Sequence, residues 1–174
     1  MKPRRVVTST AAALVASVLI AMRASATPPN GLSVAPVVNG HFGPLNVTPT
    51  EKTGSWNMLL KTHDDTDVGA DSVTLAGGGH TGWHSHPAAV FVTVVRGSIV
   101  WYDGGNPVCP GHDYTAGQSF TEGAGVIHNA VNASGSAEAQ FIAVRMNPTG
   151  VPFVADENKP TNCSQYGDQK PPRF

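Results

Sequence analysis

Along most of this chain, apolar and polar positions alternate in short runs rather than recurring at helical spacing. Val90 to Val95 and Ser98 to Tyr102 are β-branched and aromatic, and the Arg96-Gly97 pair between them predicts a tight hairpin. Trp56 to Lys61, Ser72 to Ala76, Gln118 to Glu122, Ile127 to Val131 and Ala139 to Met146 read as further strands. Turn chemistry separates them: Asp103-Gly104-Gly105-Asn106-Pro107 carries every turn signal, and His63-Asp64-Asp65-Thr66-Asp67 is a polar loop. Many short strands punctuated by Gly, Pro and Asn predict an all-β sandwich or barrel.

The two ends depart from this pattern. Lys2, Arg4 and Arg5 form a basic start, Ala11 to Met22 is apolar and uncharged, and Ala24-Ser25-Ala26 supplies small residues where a signal peptidase cuts. Residues 1–26 therefore read as a signal peptide cleaved after Ala26, too short in its apolar run to remain as a stable membrane span. Arg4-Arg5 leaves both the general and the twin-arginine export routes open. Residues 27–50, rich in Pro, Gly and Asn, read as a linker or arm with one short strand at Ser33–Val38. Residues 51–147 hold the barrel, and the proline-rich residues 148–174 read as a tail wrapping it.

Charge and cysteine content narrow the setting. The formal net charge is −1, with no basic run, so nothing indicates a nucleic-acid partner. Cys109 and Cys163, the only two cysteines, both fall in the exported part. An even pair in an oxidising compartment, without CxxC spacing, predicts one structural disulfide and a secreted, periplasmic or cell-envelope location.

The candidate chemistry lies in the histidines. His84 and His86 are two residues apart just ahead of the most β-prone run, so on a strand both imidazoles aim into one interior. His128 opens another strand some forty residues later, close enough for a return strand to lie alongside. Three imidazoles suit Fe, Zn, Mn, Ni or Cu better than Ca or Mg. Glu122 shares a strand face with Phe120, and if burial turns that face inward it becomes a fourth ligand, a general base or the partner of a metal-bound water. His41, His63, His80 and His112 read as loop histidines, and Trp83 and Trp101 as core.

Two segments resemble the paired motifs of the cupin superfamily. In the first, G-x5-H-x-H-x3/4-E-x6-G, this chain offers Gly78, His84, His86 and Gly97, with Val90 where the glutamate belongs. In the second, G-x5-P-x-G-x2-H-x3-N, it offers Gly117, Gly125, His128 and Asn132, with Gly123 for the proline. The resemblance implies a single jelly-roll-like cupin barrel with a divalent transition metal held by His84, His86 and His128. It also implies that Val90 removes the usual anionic ligand. Three-histidine centres occur in some cupin dioxygenases, so one implied function is oxidative chemistry on a small organic molecule. The alternative is a non-catalytic envelope protein that binds a small ligand or a metal. Pairing of such barrels through sheet edges makes a homodimer the expectation by analogy.

Overall fold

The computed structural model describes residues 26–48 and 58–163. In chain order the strands are β1 (Asn30–Phe42), β2 (Asn46–Val47), β3 (Leu60–Lys61), β4 (Thr66–His80), β5 (His84–Ser85), β6 (Val90–Arg96), β7 (Ser98–Asp103), β8 (Gly111–Thr115), β9 (Ser119–Glu122), β10 (His128–Val131), β11 (Ala139–Pro148) and β12 (Ala155–Asp156). The helical content of the described residues is one 3-10 turn, Thr161–Cys163. Ten of the strands form one antiparallel sheet that curls on itself, while β2 and β3 pair apart from it. One wall runs β1-β4-β11-β6-β9, and the other runs β12-β5-β10-β7-β8. The walls meet where Val131 of β10 pairs with His80 at the end of β4. This is the all-β barrel that the alternation predicts.

The alternation decides what lies between the walls. Val73 and Leu75 of β4, Val90, Val92 and Val94 of β6, Ile99 and Trp101 of β7, and Phe141 and Ala143 of β11 make one buried core. Their strand neighbours Phe91 and Val95 face out, as period 2 requires. Asn132 sits fully buried after β10 and holds the barrel end together. Its amide donates to the carbonyls of Leu75, Ala76 and Ala137, and its carbonyl accepts from Ser134 N–H.

Four sequence expectations change. First, β6 and β7 do not form a hairpin. β6 pairs with β11 on one side and β9 on the other, whereas β7 pairs with β8 and β10. Both strands carry apolar faces that must meet across the core, so they stand in opposite walls, and alternation alone cannot say which strand lies beside which. Gly97, at φ 72°, turns the chain between walls, and a Cβ there would lie 2.8 Å from the Glu138 carbonyl oxygen.

Second, the short strand expected at Ser33–Val38 within the arm is much longer. It is the thirteen-residue β1, paired along almost its whole length with β4. Val34, Val37 and Val38 remain exposed, so the strand is held by main-chain pairing and shows no burial period to read. Third, of the expected strand Trp56–Lys61, residues 56 and 57 lie outside the described residues, and Leu60–Lys61 pairs only with β2. Fourth, β8, with the sequence Gly-His-Asp-Tyr-Thr, is a largely exposed strand with no apolar signature. The expected signal peptide, all but Ala26, lies outside the described residues, and among those described no helix is long and apolar enough to cross a membrane.

Candidate metal centre

His84 opens β5, His86 follows it in the adjoining loop, and His128 opens β10. β5 and β10 are antiparallel neighbours in which His84 and His128 are direct partners, so pairing two short strands brings distant histidines together. One nitrogen of each of the three rings lies within 4.8 Å of the others. Among the described residues this is the one such group, and His41, His63, His80 and His112 take no part in it. His41, His80 and His112 nonetheless lie on strands rather than loops.

The other ring nitrogen of each histidine is fixed by the main chain. His84 Nδ1 donates to the Gly82 carbonyl at 2.9 Å, His86 Nδ1 to the Phe153 carbonyl at 2.9 Å, and His128 Nδ1 to the Val126 carbonyl at 2.8 Å. A carbonyl can only accept, so each Nδ1 carries a proton and each Nε2 is the ring nitrogen available to a metal. His128 Nε2 is fully buried, and it faces the Glu122 carboxylate at 3.2 Å without a well-directed hydrogen bond. Three such nitrogens converging beside a carboxylate offer lone pairs that a cation would complete. The residues present therefore fit a divalent transition metal.

Glu122 closes the group. Its carboxylate oxygens lie 3.2 Å from His86 Nε2 and 3.2 Å from His128 Nε2, and Trp101 Nε1 donates to Oε1 at 3.2 Å. Its position follows from the ladder. Glu122 on β9 is the direct cross-strand partner of Val90 on β6. Opposed residues of an antiparallel pair point to the same face. Both are buried, so Glu122 brings its carboxylate to the inner face of β9 beside Val90.

The electrostatics agree with this grouping. Burial chiefly, together with the nearby His128, pushes His84 down to about 3, so it stays neutral. Burial alone would raise Glu122, but the contacts with His128 and His86 outweigh it and hold the carboxyl well below its usual range. Burial likewise opposes the charged form of His128, and the Glu122 carboxylate outweighs that and raises it.

The centre opens onto a cavity of about 120 Å³ with mainly apolar walls, including Leu32 of β1, Val73, Phe141 and Ala143 of the core wall, and Phe153 after β11. Asp71 lines it as well, its charge matched by Arg145 at 2.8 Å. Two of these elements were not legible as part of a site. β1 read as an arm with one short strand, and Phe153 lies in the segment read as a surface wrap. The disulfide Cys109–Cys163 is formed and ties that segment to the loop before β8.

The family model for the cupin domain matches residues 72–145. These residues form a cupin domain. Among solved structures, a cupin-like protein from Thermotoga maritima superposes with a TM-score of 0.51 at 19% identity, over 80% of this chain and 89% of that one. A double-stranded β-helix protein from Klebsiella pneumoniae gives 0.42 at 18% identity, over 66% and 86% of the two chains. A cupin domain from Bordetella pertussis gives 0.40 at 22%, over 60% and 94%. At 19% identity the likeness to the Thermotoga protein speaks to the fold alone. No curated protein matches the chain. The matched segment of this cupin contains all three histidines and Glu122, whereas β1 and Phe153 fall outside it.

Proposed function

We propose that this cupin is an exported metalloprotein in which His84, His86, His128 and Glu122 hold a divalent transition metal at the base of an apolar cavity, where a small organic molecule is bound and transformed. The observation that carries the reading is the set of three imidazoles with Nδ1 tied to carbonyls and Nε2 converging beside one carboxylate. Three nitrogens and one carboxylate suit metals from manganese to zinc, and such an ion supplies Lewis acidity or, for iron, manganese or copper, redox chemistry.

This chain's own residues set what reaches the centre. The apolar walls exclude water and favour a compact, mostly hydrocarbon ligand. Glu122 serves better as a ligand than as a general base. Its carboxyl is held below the usual range, and a weak base at neutral pH is a poor proton acceptor. Trp101 fixes its orientation from behind. Export is supported by the leader pattern of residues 1–26 and by the formed disulfide.

Oxygen consumption by the iron-loaded protein, tested against a panel of small chelating ketones and thiols, is the experiment. Turnover abolished by His128→Ala and by a chelator supports an enzyme. Binding of the same molecules with no turnover under any of the five metals would replace the enzymatic reading with a ligand-binding one.

A further inference from the structure

We propose that Phe153 is a positioning residue of the metal centre, and that the disulfide-anchored segment Val151–Cys163 is the part of the chain that sets His86. The inference rests on the metal reading above and extends it to residues outside the matched cupin segment.

His86 is the ligand least held by its own strand. It follows the two-residue β5 and precedes Pro87 in a loop, so local main-chain pairing does not fix its ring. The segment after β11 does so in two ways. The Phe153 carbonyl accepts the His86 Nδ1 proton at 2.9 Å, and the Phe153 ring stacks on the imidazole at 4.3 Å between centroids and 14° between planes. The Arg145 guanidinium also lies over the Phe153 ring, 5.1 Å from its centroid. Arg145 is anchored in turn by Asp71 and Asn147. The aromatic ring is therefore part of a fixed series running from the barrel wall to the ligand.

The rest of the segment keeps Phe153 in place. Ala155 and Asp156 pair with Ser85 and His84, so β12 is also the strand beside the first ligand. Glu157 accepts from Ser85 Oγ at 2.8 Å and donates its N–H to the Trp83 carbonyl at 2.9 Å. Cys163 then locks the segment to Cys109, and both sulfurs pack against Trp83, the residue before His84. Every one of these contacts lands on or next to residues 83–86.

The test is a cobalt(II) titration followed by its visible absorption, on the wild type and on Phe153→Ala, Phe153→Leu, Phe153→Tyr and the Cys109→Ser/Cys163→Ser pair. Second-sphere partners of this kind are worth about ten- to a hundredfold in metal affinity. Phe153→Ala and Phe153→Leu should weaken cobalt binding at least tenfold and alter the absorption bands, with Phe153→Tyr restoring both. The cysteine pair should fall between wild type and Phe153→Ala. Unchanged affinity and bands in Phe153→Leu, which keeps most of the buried volume, would overturn the proposal even if its melting temperature dropped.

If the wild type binds no cobalt, the metal reading fails, but the positioning role is still judged in the metal-free chain. Ring-to-ring nuclear Overhauser contacts from His86 to His84 and His128 should be present in the wild type and weakened in Phe153→Leu, which keeps the main-chain carbonyl but not the stacked ring. The same contacts at the same strength in both would sink it.

Discussion

Moving the carboxylate back across the ladder is the sharpest perturbation this site allows. Val90 and Glu122 are direct partners on β6 and β9, both buried, and Glu122 lies beside the Nε2 atoms of His86 and His128. Glu122→Val removes the anion beside His86 and His128 and strands the Trp101 N–H. A unit-charge pair about 4 Å apart is worth about 4 kcal/mol at an effective dielectric near 20. Roughly half of that is returned because the carboxylate no longer has to be desolvated. A net loss of about 2 kcal/mol corresponds to roughly thirtyfold weaker metal binding. Glu122→Gln, which can still accept from Trp101, should lose somewhat less.

Adding Val90→Glu to Glu122→Val places a carboxylate on the same face, one strand over, and should recover most of the lost affinity. Val90→Glu alone crowds two carboxylates, so one takes up a proton near neutral pH and the metal-free protein loses stability. Competitive titration of zinc against a chromophoric chelator reads all four variants. Wild-type zinc affinity in Glu122→Val would refute the reasoning, because a carboxylate 3.2 Å from two ligand nitrogens would then contribute nothing.

Other outcomes follow from the same coordinates. In the metal-free protein, acid should destabilise in two stages. His84 falls from an unfolded value near 6.5 to about 3, so below pH 6.5 the unfolded chain takes up its proton first and stability declines as pH drops; Glu122, depressed when folded, adds a further loss below its unfolded value near 4.5. His128 acts in the opposite sense only above pH 6.5, where its raised value loses its contribution as pH climbs. Urea unfolding at pH 6.5 and 4.5 should differ by about 2 kcal/mol, and a flat profile that His84→Asn leaves unchanged would contradict this. Asn132→Ala deprives the buried Leu75 carbonyl, two part-buried carbonyls and one N–H of their partner and should cost about 2 kcal/mol in chemical unfolding. Cys109→Ser/Cys163→Ser opens a link between residues 54 positions apart and should cost on the order of 4 kcal/mol by the same assay.

Much of this arrangement was legible before any coordinates. Period 2 located β6, β7, β9 and β11 to within about two residues, because each has one face more buried than the other, and β10, buried at all four positions, was located as closely. Partner choice was not legible. The Arg96-Gly97 turn looks the same whether it closes a hairpin or carries the chain across the core. The full length of β1 escaped because its valines stay exposed, and β8 because its side chains are polar. The three histidines announced themselves by spacing, whereas Glu122 was a candidate only on the condition that burying Phe120 turned its face inward. That Glu122 stands opposite Val90 could be seen only once β6 and β9 were known to be neighbours. Phe153 left no trace, since a carbonyl and a ring arriving from the tail carry no motif.

The central claim is that His84, His86 and His128 hold a metal with their Nε2 atoms. Elemental analysis of protein purified without added metal or chelator, repeated on His128→Ala, tests it most directly. One equivalent of a single transition metal in the wild type, falling below a tenth of an equivalent in the variant, is the result predicted. Equal metal content in both proteins, or none in the wild type even after incubation with iron, manganese, nickel, copper and zinc in turn, would contradict it.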